Sequence, residues 1–320
     1  LRVLVTGGAG FIGSHLVDRC VSEGYEVKVL DNFSRSTVSN LEEHLSRDSI
    51  ELLRGDIRDL KLLRRIMRGV EVVFHEAAQV SVPASLRDPI YTDEVNVRGT
   101  LNLLVAASEA GVQRFIFASS SSVYGDPERL PVAEDSPLNP LSPYAASKVA
   151  GEAYCRAFHA ARGVPIVCLR YFNVFGPRQR LDGYASVIPA FIGCILKGEP
   201  MIIYGDGGQT RDFVNVRDVV EANILALMKE EAVGETFNVG SGRSTSIMEL
   251  SSMLREICGF DIPSPVHAPP REGDVAHSLA DIGKAEEILG YRPRTDLRRD
   301  LKELFEWYGG LFEKASREDG

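Results

Sequence analysis

The chain has 320 residues, 44% hydrophobic and 25% charged, enough to bury a substantial core and too rich in apolar residues for a disordered or low-complexity protein. Thirty-six basic residues against 45 acidic ones give a formal charge of −9, and no basic block interrupts the mixture, so no general attraction to nucleic acid is expected. The longest apolar run, Val187–Leu196, is too short to span a bilayer and is interrupted by Pro189 and Gly193, so no membrane partner is expected.

Cys20, Cys155, Cys168, Cys194 and Cys258 are scattered and form no C-x-x-C pair, which fits core thiols in a reducing compartment and argues against a metal site. The chain opens directly on a strand pattern with no charged-then-apolar leader, so a cytoplasmic location is expected.

In chain order, β-branched runs at 3–6, 26–30, 50–54, 72–75, 114–118 and 166–170 predict strands. Helix-period segments at 11–23, 60–68, 95–110 and 144–162 separate them. The alternation predicts an α/β protein with a doubly wound parallel sheet. After Asn173 the rhythm changes, with Gly176-Pro177, Gly198-Glu199-Pro200 and Gly205-Asp206-Gly207-Gly208 punctuating shorter elements. Residues 1–175 are therefore read as one domain and 176–320 as a smaller α/β domain, with the stretch near 209–240 a candidate to return to the first.

The first strand runs into Thr6-Gly7-Gly8-Ala9-Gly10-Phe11-Ile12-Gly13. Gly7 and Gly10 allow a tight turn and close approach of a pyrophosphate to the amides opening the next helix, where Phe11 and Ile12 lie, and Gly13 allows close helix packing. Asp31 ends the second strand, where a carboxylate suits ribose hydroxyls and repels a 2′-phosphate, so NAD is favoured over NADP. Arg35 is the feature pointing the other way. Asp56 and Ile57 after the third strand, and Ala77 and Ala78 after the fourth, stand where the cofactor crevice must lie.

Tyr144 and Lys148 form Y-x-x-x-K one turn apart on a helix, a spacing that about one chain in four of this composition would contain by chance. Its context adds weight: the fifth strand ends in four serines at 119–122, bringing hydroxyls to the same edge. A nearby ammonium and a cationic nicotinamide would lower the Tyr144 phenol from its ordinary ~10 toward ~7 and make it a usable base. A serine hydroxyl would align the substrate, and Lys148 would also hold the nicotinamide ribose.

Ten segments then resemble, in order, the extended short-chain dehydrogenase/reductase superfamily and within it the nucleotide-sugar 4-epimerases. They are TGGAGFIGSHL (6–16), LDNFS (30–34), GDIRD (55–59), NVRGTLNLL (96–104), SSSSVYGD (119–126), SPYAASK (142–148), LRYFNVFGPRQ (169–179), YASVIPAFI (184–192), IYGDGGQTRDFVNV (203–216) and REGDVAHSLADIGKA (271–285). The resemblance spans essentially the whole chain and implies a Rossmann-type fold.

It further implies Ser120 as the catalytic hydroxyl beside Tyr144 and Lys148, with Ser122 in support. Asn32, Ser34, Gln79, Asn96 and Tyr171 join the cofactor contacts. Asn173, Arg211 and Arg271 would hold the substrate diphosphate, Val187 and Ile188 would meet the uracil, and Tyr204 would pack near it. A homodimer through the helices beginning near Val95 and Tyr144 is also implied.

Departures narrow the reading. Dehydratases resemble Thr-Asp-Glu and decarboxylases carry a glutamate where this chain has Ser120-Ser121-Ser122, which favours epimerisation. A lysine seen in some glucose/galactose epimerases is missing from 76–80. Ser278 stands where epimerases confined to unacetylated sugars resemble a tyrosine, leaving room for an N-acetyl group. The expectation is C4 epimerisation of a UDP-hexose, acetylated or plain, through a 4-keto sugar with NAD kept bound and not consumed. A dehydratase, decarboxylase or reductase, or a non-catalytic NAD sensor, are the alternatives.

Overall fold

The computed structural model describes residues 1–181, 186–270 and 275–318. Its strands are β1 (Arg2–Thr6), β2 (Glu26–Asp31), β3 (Ile50–Arg54), β4 (Val72–His75), β5 (Arg114–Ser120), β6 (Ile166–Tyr171), β7 (Asn173–Phe175), β8 (Ile202–Tyr204), β9 (Thr210–Asn215), β10 (Thr236–Val239), β11 (Ser244–Ser246) and β12 (Val266–Ala268). Seven form a parallel sheet in the order β10-β6-β5-β4-β1-β2-β3. The chain reverses its direction of travel across the sheet beside β1, and the carboxyl ends of β1 and β4 flank the crevice created there.

Both faces of the sheet are covered, because residue alternation in β1 sends Val3 and Val5 one way and Leu4 the other. Val3 and Val5 join a core with Leu16 and Val17 of the helix Phe11–Ser22, with Val219 and Ala222 of the helix Val216–Met228, and with Phe237 of β10. Leu4 belongs to the opposite core, with Val73, Phe115 and Phe117 of the sheet and Leu63, Leu103 and Leu104 of the covering helices. Strands β4 and β6 are buried at every position, which accounts for their nearly continuous apolar runs.

All six expected strands are present within a residue or two of their predicted ends. The seventh, β10, was not anticipated: Thr236-Phe237-Asn238-Val239 is only four residues long, two of them polar, and pairs with β6 only through the tertiary fold. The helix expected from 95 opens instead on a wider π turn, Glu94–Arg98, before the α-helix Gly99–Ala110.

A second core packs the helices Val187–Leu196, Ile247–Cys258 and Leu297–Glu318 together. Ile188, Phe191, Ile192 and Ile195 recur at helical spacing and are all buried in it, so the longest apolar run of the chain is a core helix. Beside it lie a three-stranded sheet, β11-β9-β7, and the β8/β12 pair. Among the described residues no helix is long and apolar enough to cross a membrane.

Candidate active site

The glycine turn closes as its spacing requires. Gly7 takes the left-handed conformation at φ +69°, and the Gly10 amide donates to the Gly7 carbonyl oxygen at 2.9 Å. A Cβ on Gly7 would stand 2.8 Å from the Ala77 backbone, and one on Gly13 only 2.3 Å from the Gly7 carbonyl oxygen. Gly10 is the N-cap and supplies no side chain to the first amides of the helix Phe11–Ser22, which point into the crevice as an anion site needs. Phe11 stacks edge-on against His15, and Ile12 packs on the core.

Asp31 is buried and engaged on both oxygens: Ala9 N donates to Oδ2 at 3.0 Å, while Phe33 N and Ser36 Oγ donate to Oδ1 at 2.9 and 2.7 Å. It thus braces the glycine turn as well as ending β2. Asn32 Nδ2 donates to Asp56 at 3.0 Å and its Oδ1 accepts from Ser34 N, so these three residues form one loop cluster. Arg58 beside Asp56, chiefly through its side-chain hydrogen bonds, holds that carboxyl down at about 2. The Arg35 carbonyl oxygen accepts from Arg180. Ile57 turns its side chain into the core against Gly99.

Asn96, also buried, ties the fourth-strand exit to the catalytic helix. Its Oδ1 accepts from Gln79 N at 2.7 Å, and its Nδ2 donates to Gln79 O and to Ser147 Oγ, both at 2.9 Å. Ser147 Oγ in turn donates to the Tyr144 carbonyl oxygen. Ala77 N meets Thr6 Oγ1, joining the exits of β1 and β4, with Ala78 between this contact and Gln79.

Ser142 caps the helix Pro143–Arg162 by accepting from Ala145 N, and Pro143 fits its first turn. This start delivers Tyr144 and Lys148 to the end of β5. The Ser120 side chain stands close enough to the Tyr144 phenol to lower its pKa, and its oxygen accepts from Ser122 Oγ at 2.9 Å and from Ser122 N at 3.2 Å. Three of the expected polar groups are therefore in one chain of contacts.

Their electrostatics differ from expectation. Burial pushes the Tyr144 phenol up, with the Ser120 hydrogen bond opposing and Glu76 adding to the rise. Lys148 Nζ donates to the Ala118 carbonyl oxygen at 2.7 Å and lies 6.0 Å from the Tyr144 ring centroid. Burial also lowers its own pKa to about 8. The expected depression of the phenol by the ammonium is thus absent from the protein alone, because desolvation outweighs it.

Two groups here, one partly buried and one buried, escaped the sequence reading. Glu76 accepts from Tyr171 Oη at 2.7 Å, and Tyr171 accepts from Asn223 Nδ2 at 2.7 Å. Behind Ser120, Arg170 grips Glu152 with two hydrogen bonds of 2.8 and 2.7 Å, and Ser119 Oγ donates to the same carboxylate. Both acids lie inside segments dominated by apolar or motif residues, and only strand and helix packing reveals their partners.

Of the residues assigned to substrate, Asn173 and Arg211 lie on paired strands β7 and β9. Arg211 is buried and donates to Thr210 O at 2.8 Å. Ser278 is partly buried and its amide donates to Thr210 O, placing it beside Arg211 on the chain. Ile188 sits in the second core with Val187 against it, and the Tyr204 carbonyl oxygen accepts from Gln209. Arg271 lies outside the described residues. Among the described residues no cluster of three or more His, Cys, Asp or Glu is arranged to hold a metal.

Residues 3–240 match the NAD dependent epimerase/dehydratase family. The chain belongs to this family. It is 41% identical over 310 residues to the UDP-glucose 4-epimerase of Mycolicibacterium smegmatis, covering 96% of this chain and 98% of the relative. Among solved structures, the UDP-glucose 4-epimerase of Thermotoga maritima with UDP-glucose superposes at a TM-score of 0.93 with 41% identity, covering 97% and 99% of the two chains. The UDP-N-acetylglucosamine 4-epimerase of Methanobrevibacter ruminantium in complex with UDP-N-acetylmuramic acid gives 0.92 with 38% identity, covering 97% and 98%.

The cofactor is NAD, and the chain fits it. The glycine turn, packed so tightly on its own backbone and on Ala77 that neither Gly7 nor Gly13 admits a Cβ, the uncapped helix start at Gly10 and the buried acid closing β2 form the cradle a dinucleotide needs. The protein is an enzyme of the epimerase kind.

Proposed function

We propose that the protein interconverts the C4 epimers of a UDP-hexose, with and without a 2-acetamido group, and that Tyr144, Ser120 and Lys148 carry the chemistry. The supporting observation is the placing of Tyr144 beside Ser120, itself hydrogen-bonded to Ser122, at the end of β5, with no acidic side chain at 120–122 to drive loss of water or carbon dioxide. Tyr144 takes the O4 proton through Ser120 and later returns it. NAD, held by the glycine turn, Asp31 and Lys148, would supply a hydride acceptor and donor at C4 that is unchanged over a turnover, and a positive charge that would lower the Tyr144 phenol.

Arg211 and Asn173, with Arg271, hold the diphosphate while the keto sugar turns about its link to it. Ser278, small and bonded beside Arg211, leaves space for an acetamido group. We further propose a homodimer, because Val80, Leu86, Ile90 and Tyr154, on and next to the helices Val82–Arg87, Pro89–Asp93 and Pro143–Arg162, are all exposed, Ile90 at 73%.

The test is to incubate the protein, without added cofactor, with UDP-glucose, UDP-galactose and both N-acetyl counterparts and to identify the sugars formed. Tyr144→Phe is expected to lose at least about a hundredfold in turnover. A loss smaller than about tenfold removes Tyr144 as the base. Ser278→Tyr is expected to abolish turnover of the acetylated sugars and spare the plain ones, and equal turnover of both would show that position 278 does not line the pocket.

A further inference from the structure

Glu76 occupies a place on the sheet edge that the epimerase chemistry above leaves without a role. It follows β4 directly, and its amide donates to the Thr6 carbonyl oxygen at 3.2 Å. Strand β4 stands between β1, which leads into the glycine turn, and β5, which ends at Ser120. A dinucleotide with its pyrophosphate on the turn and its reactive ring at Ser120 and Tyr144 must therefore cross the exit of β4.

The side chain there is a carboxyl held in a fixed position. Tyr171 Oη donates to Oε1, and Asn223 Nδ2 supports Tyr171 from the helix Val216–Met228. The ionisable groups around it are Lys148 and Tyr144 from the helix Pro143–Arg162, Tyr171 from the end of β6, and the neighbouring His75. Burial holds His75 neutral, bridging Thr6 Oγ1 and Thr100 Oγ1. Lys148 spends a proton on Ala118 O, so it is not a dedicated ion-pair partner for the acid.

We propose that Glu76 is an electrostatic positioning residue for the nicotinamide: its carboxylate favours the oxidised, cationic ring, and it takes up a solvent proton while the hydride is on loan and releases it when the hydride returns. This rests on the assignment of the ring to the Ser120–Tyr144 end of the cleft. The balance is simple. Oxidation of the sugar carbinol sends a hydride to the ring and a proton to Tyr144; the ring loses its single positive charge, and the Glu76 carboxylate, no longer facing a cation, gains a proton from water. Burial raises the Glu76 carboxyl to about 7 in the protein alone, the Tyr171 hydrogen bond and Lys148 opposing, so this proton is available near neutrality. An acid at an ordinary surface value would stay ionised in both states and respond to neither.

The experiment measures affinity for NAD and for NADH separately, by titrating cofactor-stripped protein and following dihydronicotinamide fluorescence and its displacement, across the neutral pH range. In Glu76→Gln the preference for NAD over NADH is expected to fall about tenfold above neutrality, with the difference from the parent vanishing in mild acid where the parent carboxyl is itself neutral. Tyr171→Phe keeps the carboxyl but removes its donor, and is expected to move the pH midpoint of the preference upward. An unchanged NAD/NADH preference at every pH in Glu76→Gln, or no midpoint shift in Tyr171→Phe, overturns the proposal. A parent protein that binds both nucleotides but forms no epimer strikes instead at the reading of its reaction, leaving this ratio intact.

Discussion

The Lys148 ammonium donates to the carbonyl oxygen of Ala118 at 2.7 Å, fastening the catalytic helix to the last turn of β5. With the Ser119–Glu152 hydrogen bond, it holds the helix bearing Tyr144 against the strand bearing Ser120. Lys148→Met is therefore expected to lose about a hundredfold or more in turnover and to weaken NAD binding. Lys148→Arg, which keeps the charge but not the compact ammonium, is expected to recover only part of it. Steady-state kinetics and an NAD titration of the two variants check this, and wild-type turnover in Lys148→Met would exclude the role.

Gly7→Ala meets two obstacles, a left-handed backbone and a Cβ 2.8 Å from the Ala77 backbone. The strain alone is worth about 1–3 kcal/mol, and the displaced turn would no longer approach the pyrophosphate. The variant is expected to fold with a lower melting temperature and to be purified without NAD. Retention of a full complement of cofactor would show that the turn does not set its site.

Arg170 and Glu152 form a buried ion pair, both nearly inaccessible to water. Removing one partner strands the other charge, so Arg170→Ala is expected to cost about 3–5 kcal/mol of unfolding free energy. Replacing both with methionine is expected to cost less than either single loss. Urea unfolding of the three variants tests this, and additive losses would mean that the pair is not coupled.

Glu76 also predicts a pH dependence of stability in the cofactor-free protein. Its folded pKa, about 7, lies above the ordinary 4.5. Below 4.5 both states are protonated and the group contributes nothing. Between the two values the folded protein holds the extra proton, so rising pH removes stability, up to about 3 kcal/mol once the carboxyl is ionised in both states. Glu76→Gln is expected to match the parent in acid and exceed it above neutrality when urea midpoints are compared. Parallel profiles would place the carboxyl at an ordinary value.

The parallel sheet and the glycine turn were legible because they follow from local signals: β-branched runs alternating with helix-period segments, and the spacing of Gly7, Gly10 and Gly13. Tyr144, Ser120 and Ser122 were legible because a motif names them together, and they meet. The parts that were not legible depend on partners far away in the chain. β10 is only four residues long, too short for its alternation to stand out, and exists because β6 offers it an edge. Glu152 reads as a solvated helix residue until Arg170 arrives from the next strand, and Glu76 reads as a loop acid until Tyr171 does. The burial of Tyr144 was not legible for the same reason: spacing puts Lys148 one turn away, but only packing shows how deeply both are removed from water.

The chain does not finish its large sheet before starting its second core. After β6 it leaves for β7, β8 and β9, comes back for the helix Val216–Met228 and β10, and departs again for β11. Several covalent passages thus stitch the two halves together, and a wide clamshell motion would have to bend all of them at once. On the reaction proposed above, the sugar would therefore have to pivot between walls that part little, and substrate size would be policed by the side chains on those walls.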